Sequence, residues 1–340
     1  MKLIKPSTEL INQPFHMSLD SLKHIEKCGR VCYKSEDKIT EDSAVKFVQG
    51  IIKSGHESVL EHLWVNLKVD CNFLESLDWC PGLVGQSGLL KYLAINDTGV
   101  EDTIYISGNV RAFRDAVRKS STFRDLFYRL KNKNKYLELL LSFPKAPVDF
   151  YRDVEGYDIE IINPKDMADV SDYDILCHTP QTVRFICDRG VSHELVRHRE
   201  LSFSQESTRY CNYGEGGEIT FIIPPWVKIE ENTEVITCAY TGKFEDIPSF
   251  EWASHMRSSK AVYNDFINDG MKPQDARSVL PNSLKTEVVV TGSLKQWVHF
   301  FNLRALGTTG KPHPQMIELA EPLLEVFYVK HPFIKGYVGK

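Results

Sequence analysis

Apolar positions recur at helical spacing in two early stretches, residues 18–33 and 40–54. In the second, Ala44, Phe47, Val48, Ile51 and Ile52 form one face, Thr40 is placed to cap its start and Gly55 to stop its end. From His62 to Asp70 the period changes to two. Leu63, Val65, Leu67 and Val69 are expected on one face of a strand, with Trp64, Asn66 and Lys68 on the other. Residues 71–178 carry a weaker pattern. Pro81, Gly82, Gly85 and Gly88 break it early, Asp102–Ser107 predicts a short strand, and Arg111–Lys119 and Phe123–Leu141 predict charged helices. Pro144, Pro147 and Pro164 then punctuate an acidic loop.

The pattern becomes dense again after Gln181. It predicts strands at Thr182–Cys187, Ile219–Ile223 and Thr286–Thr291. It predicts helices at Val191–His198, Phe250–Asn268, Ser293–Leu306 and Pro314–Val329, the last with proline at its first position. A short helix opened by Pro273 contains Arg277. Two segments echo each other: Ser107-Gly108-Asn109-Val110-Arg111-Ala112-Phe113 and Thr291-Gly292-Ser293-Leu294-Lys295-Gln296-Trp297. Both follow a predicted strand and open a helix, which is either coincidence or a shared strand-to-helix ligand turn. Strands and helices in this mixed order support an α+β fold.

The 340 residues allow one elaborated domain or about two. A formal charge of −5 argues against a general nucleic-acid coat but leaves room for a local cationic pocket. No apolar run reaches the ~18 residues of a membrane span, and the N-terminal stretch lacks the apolar segment of a secretory signal. The eight cysteines are scattered and form no C-x-x-C pair, so reduced thiols in a cytoplasm are expected.

The densest chemistry lies in Arg197–Tyr210, where three arginines and three serines share fourteen residues with His198 and Gln205. Successive side chains diverge in either a helix or a strand, so Arg197, His198 and Arg199 address different partners. Guanidinium groups suit phosphate, and hydroxyls and an amide suit a ribose or a base edge. A solvated charged turn is the bland alternative. Gly55-His56-Glu57-Ser58-Val59-Leu60-Glu61-His62 lacks the H-E-x-x-H spacing of a catalytic zinc site and reads first as a helix-to-strand loop with capping side chains. Ala276–Pro281 and Phe300–Arg304 add two further arginines, each weak alone. No G-x-G-x-x-G follows a strand, and neither a P-loop nor a G-x-S-x-G elbow occurs. Tyr213–Gly217 reads as a flexible turn.

Taken in order, these four clusters resemble the flavin-dependent thymidylate synthase family, the thymidylate synthase-complementing proteins. Arg197-His198-Arg199 followed by Ser207 matches the family pattern R-H-R-x(7)-S. The resemblance spans residues 1–70 and 179–330, leaving 71–178 as an inserted subdomain between the two parts of a discontinuous domain, 1–70 plus 179–340. It implies a mainly antiparallel sheet flanked by helices. It implies a methyltransferase that converts dUMP to dTMP, with FAD as cofactor and NADPH and methylenetetrahydrofolate as co-substrates. A homotetramer with shared sites is implied, with no metal, nucleic acid or membrane.

By family position, Arg304 polarises the uracil. Glu194, Arg197, Gln205, Ser207, Arg209 and Arg277 surround dUMP, with Arg209 and Arg277 suited to the phosphate. Flavin contacts fall on Ser58, Arg197, His198, Arg199, Gln205, Ser293, Lys295 and His299, and His56 is a folate or NADPH contact. The family's Asn-x-Arg flavin turn is Ser293-Leu294-Lys295 here, while Asn109-Val110-Arg111 in the insertion has the family residue types. Cys80 before Pro81 reads as a structural thiol, not the nucleophile of the other synthase class. The competing readings are a nucleic-acid-binding module using the arginines, a metal-dependent hydrolase using His56, Glu61 and His62, and a catalytically inactive relative.

Overall fold

The computed structural model describes residues 1–70, 93–97, 103–119, 123–124, 127–128, 130, 134–142, 159–214, 218–232 and 245–340. The expectations placed on Cys80 to Gly88, on Pro144 and Pro147, and on most of the Tyr213–Gly217 turn lie outside these residues.

Two antiparallel four-stranded sheets and one short parallel pair order the described residues. The first sheet runs β2 (Ser7–Ile11), β7 (Pro180–Asp188), β10 (Lys285–Ser293), β8 (Ser202–Gln205). The second runs β4 (Leu93–Asp97), β5 (Thr103–Asn109), β3 (Trp64–Asp70), β6 (Ile159–Ile161). The pair is β1 (Lys2–Ile4) with β9 (Thr220–Ile222). The fold is therefore α+β and mainly antiparallel, as the resemblance implies. β3 forms its sheet with strands from the 71–178 stretch, not with β7 and β10.

Helix boundaries follow from local chemistry. Ser18 accepts from the Asp20 amide and caps α1 (Leu19–Arg30), with Asp20 in the first turn and Lys27 and Arg30 in the last, each complementing the helix dipole. α2 (Ser43–Ser54) begins after Asp42, not at Thr40, because Ser43 Oγ instead takes the Thr40 amide and holds Thr40 outside the helix. It stops where Gly55 takes φ +72°. α3 (Val110–Lys119) and α4 (Lys135–Leu140) come from the 71–178 stretch. α5 (Asp172–His178) is capped by Ser171, and α6 (Arg189–Leu195) by Asp188, whose carboxylate takes the Val191 amide at 2.7 Å. α6 ends three residues before the predicted His198, because the chain turns at Val196. α7 (Ile247–Asn268), α8 (Pro273–Ala276), α9 (Leu294–Arg304) and α10 (Pro314–Lys330) complete the chain, with Arg277 just past α8 in a 3-10 turn.

Among the described residues the three larger of four apolar clusters hold these elements. One packs α1, α2, β3, β5 and α3 around Leu22, Leu60, Leu67 and Phe113. The second sets α9 and α10 against β7 and β10 through Trp297, Phe301 and Phe327. The third gathers Leu3, Phe221 and α7. β3 departs from the half-buried strand expected: Trp64 and Asn66 are buried along with Leu63, Val65 and Leu67, and only Lys68 is exposed. The supposed solvent face is covered because α5 packs there, its His178 bonded to Ser107, the partner of Asn66 across β5.

Candidate active site

The turn after α6 carries Arg197, His198 and Arg199. The amides of Arg197 and His198 continue onto the carbonyls of Glu194 and Leu195, and the Leu201 amide closes back on the His198 carbonyl at 2.9 Å. This geometry exposes Arg197 and Arg199 and buries His198. The expected divergence holds in burial, but Arg197, His198 and Arg199 all line one cleft.

Arg304, the last residue of α9, joins this turn. Its Nε donates to His198 Nε2 at 3.0 Å and its Nη1 to Glu194 Oε2 at 2.9 Å. An Arg Nε–H only donates, so His198 accepts there as a neutral imidazole. Burial pushes His198 down to about 4, and the Arg304 and His299 charges act in the same direction. A cleft of about 290 Å³ opens beside the group, lined by Arg197, Arg199, His299 and Arg304 among others. Five cationic or imidazole side chains thus converge on one opening, with Glu200 also on its lining and Glu194 paired to Arg304.

A second group lies after β8. Ser207 donates its amide to the Cys32 carbonyl at 3.0 Å and takes the Arg209 amide on its hydroxyl. Arg277 Nη1 donates to Thr208 Oγ1 at 2.9 Å, tying the Arg277 turn to the Ser207–Arg209 turn. Both arginines are exposed at their ends. The Arg209 guanidinium lies over the Tyr210 ring, which contacts Tyr33, which in turn hydrogen-bonds His56 at 3.4 Å. Beneath them Glu206 is fully buried and bonded to Tyr213 and Lys285, and Lys285 and Arg184 share Glu287. Burial raises Glu287, but those two cations outweigh it and hold the carboxyl below its ordinary value.

The remaining candidates lie apart from both groups or on their edges. Gln205 is turned into α6, donating to Ser192 Oγ at 2.9 Å. Ser293 is buried and spends its hydroxyl on the Gln296 amide as the α9 cap. Lys295 is exposed, with its ammonium over the Tyr173 ring. Ser58 sits in the 3-10 segment Glu57–His62 that opens β3. Asn109 caps α3 through the Ala112 amide, and Arg111 pairs with Glu61. Glu61 is therefore spent on Arg111 and His62 on two hydroxyls, so the trio proposed for a hydrolase does not converge, and no group suited to a metal occurs among the described residues.

Sequence reasoning gave no role to Tyr33, Thr208, Ser204 or Thr291, and weighed His62 only as a metal ligand, not as the buried partner of Ser204 and Thr291. Tyr33 ends an ordinary amphipathic run and carries no motif. Ser204 and Thr291 sit on strands whose alternation marks them as interior, and a polar residue at an interior position is the one available signal.

The sequence matches the profile of the thymidylate synthase complementing protein family, Thy1, over residues 15–79 and 165–333. Among curated relatives, a flavin-dependent thymidylate synthase of Pyrococcus furiosus is 36% identical over 120 residues, covering 35% of this chain and 43% of that protein. One of Corynebacterium diphtheriae is 31% identical over 150 residues, covering 43% and 56%. The chain thus aligns with only about half the length of these relatives. A solved structure described as a UMP/dUMP methylase PolB from Streptomyces cacaoi bound with 5-Br dUMP aligns over 99% of this chain and 98% of its own, at 14% identity and a TM-score of 0.40.

Proposed function

Since the chain belongs to the thymidylate synthase complementing protein family, we propose that it is an FAD-dependent thymidylate synthase. In this reading it methylates dUMP to dTMP with methylenetetrahydrofolate as carbon donor and NADPH as reductant. The observation that carries the proposal is the placement of Arg304. Methylation at uracil C5 requires negative charge to develop on N3 and O4, and a preorganised cation stabilises it best in a low-dielectric site. Glu194 and His198 hold two edges of the guanidinium and leave its other N–H groups for a ligand. Neutral His198 adds no competing charge there.

The donor set beside the cleft fits a flavin dinucleotide. Arg197 and Arg199 project outward from one turn, as a pyrophosphate needs, and His299 supplies a flat polar edge. FAD, when bound, supplies the electron transfer; the chain supplies position and charge. Arg209 and Arg277, joined through Thr208, fit a nucleotide phosphate, and the neighbouring Tyr33, Tyr210 and His56 offer stacking faces for a pterin or nicotinamide ring. Ser207 acts as a binding residue, since its hydroxyl is engaged with the Arg209 amide and no base touches it. Phosphate and uracil groups sit in two separate clusters of one chain. That division favours sites completed between subunits, and the assembly we propose is a cytoplasmic homotetramer.

The test is the visible absorption spectrum of the purified protein with FAD, before and after dUMP. A flavin spectrum that shifts with dUMP is expected. A protein that neither retains FAD nor responds to dUMP would overturn the reading.

A further inference from the structure

The echo between residues 107–113 and 291–297 extends far beyond seven residues. β5 leads directly into α3 as β10 leads into α9. Asn109 pairs with Trp64 on β3, and Ser293 with Pro180 on β7. Two residues back, Ser107 pairs with Asn66, and Thr291 with Thr182. The Val110 amide closes on the Leu63 carbonyl at 2.9 Å, and the Leu294 amide on the Thr179 carbonyl at 2.8 Å. Strand orders match throughout: β4-β5-β3-β6 corresponds to β8-β10-β7-β2.

The fourth strand of each sheet is exchanged. β2 lies beside β7, yet its chain continues into β3 of the other sheet. β6 lies beside β3, yet its chain continues into β7. At each crossing stands a buried histidine two residues before the strand, and each reaches the opposite unit through the same ring nitrogen. His62 Nδ1 meets Thr291 Oγ1 at 2.8 Å, and His178 Nδ1 meets Ser107 Oγ at 2.6 Å.

We infer that the chain holds two copies of one strand–helix unit exchanged about a pseudo-two-fold axis, and that His62, which leads into β3 of one copy, is a positioning residue for the ligand-bearing strands of the other. The positioning role rests on the site reading given above. His62 differs from His178 in what it holds. Its Nε2 also meets Ser204 Oγ at 2.9 Å. Ser204 precedes Gln205 and the Ser207–Arg209 turn, and Thr291 precedes Ser293 and α9, which ends at Arg304.

One imidazole thus ties the two strands that lead to both ligand groups. The contacts run as one chain: Gln13 Nε2 donates to Thr182 Oγ1, Thr182 meets Thr291 at 2.7 Å, and Thr291 and Ser204 bond the two nitrogens of His62. In the other copy the equivalent cation, Arg111, stays partly exposed and is paired with Glu61, and that copy contributes the lock.

The test compares His62→Ala, His62→Asn and His178→Ala in the full chain, by FAD titration and thermal melting. His62→Ala is expected to weaken FAD binding roughly 10- to 100-fold, by analogy with the loss seen when outer partners of metal ligands are removed. His62→Asn, which keeps an amide near Thr291, should recover part of that loss. His178→Ala should lower the melting temperature by a similar amount and leave FAD affinity within about twofold. Should His62→Ala not fold, Ser204→Ala and Thr291→Val cut the same links singly and should each weaken FAD. Wild-type affinity retained in the folded variants overturns the positioning role. Loss of FAD affinity in His178→Ala alone overturns it too, and moves the ligand turn to Asn109–Arg111. Failure of the wild-type protein to bind FAD instead defeats the site reading.

Discussion

Replacing Arg304 by methionine keeps the length and packing of the side chain and removes its charge and donors. Two bonds are lost, to Glu194 at 2.9 Å and to His198 at 3.0 Å. The ion pair is partly open, with 21% and 28% of the two side chains exposed. Its charge-assisted bond is therefore taken near the low end of its range, about 1.5 kcal/mol, and the bond to neutral His198 at about 1 kcal/mol. Stability should fall by about 2.5 kcal/mol. The larger signal is electrostatic. At an effective dielectric of about 20, a charge ~4 Å away is worth about 4 kcal/mol, or about 3 pKa units as a ceiling. His198 should therefore titrate above its present value of about 4 once that charge is gone. It should stay below an ordinary histidine, because burial is the larger cause and remains. Arg304→Lys keeps the charge and loses the fork, so it should hold His198 low while disturbing Glu194. NMR titration of the His198 ring reads both variants. Turnover of dUMP should fall about 10²- to 10³-fold in Arg304→Met, with a smaller change in dUMP affinity. An unmoved His198 titration would falsify the electrostatic account, and unchanged turnover would remove Arg304 from the chemistry.

Burial holds His24, His178 and His198 down to about 4 and His62 to about 3. The unfolded chain binds these protons first, so stability is full above about pH 6.5. It drains by up to about 1.4 kcal/mol per pH unit for each group as pH falls toward 4, and a melting temperature that stays flat from pH 7 to 5 refutes this. Gly292→Ala would set a Cβ 2.3 Å from Leu201 and 2.6 Å from Gln296 Oε1, the atom that accepts the Ser293 amide. Overpacking and a damaged cap should cost about 2–4 kcal/mol, visible in denaturant midpoints, and a wild-type midpoint contradicts the packing shown. Arg209→Ala and Arg277→Ala should each weaken dUMP about 10- to 100-fold by calorimetry, in a salt-sensitive way. Equal affinity for deoxyuridine and dUMP in the wild-type protein would count against phosphate capture there.

Periodicity alone located most helices and strands of residues 180–330, because their capping residues, prolines and alternating apolar positions are local signals. The R-H-R turn was equally legible: divergence of consecutive side chains is a property of the backbone, and it exposes Arg197 and Arg199 while burying His198. The echo of residues 107–113 in 291–297 was visible as well, but only pairing registers show that it marks a repeated unit. Tertiary structure alone decided the rest. Asn66 reads as solvent-facing by alternation and is buried because a segment 112 positions later, ending at His178, covers it. Ser293 stands at the expected ligand turn, yet its hydroxyl is consumed by the helix it caps. His62 sits in a loop that suggests a metal, and its role depends on Thr291 and Ser204, which lie 229 and 142 positions away. Local bonds repeat with the chain and can be read from it. The partners of a buried polar side chain are whatever groups folding brings within about 3 Å, and nothing in the spacing of residues encodes them.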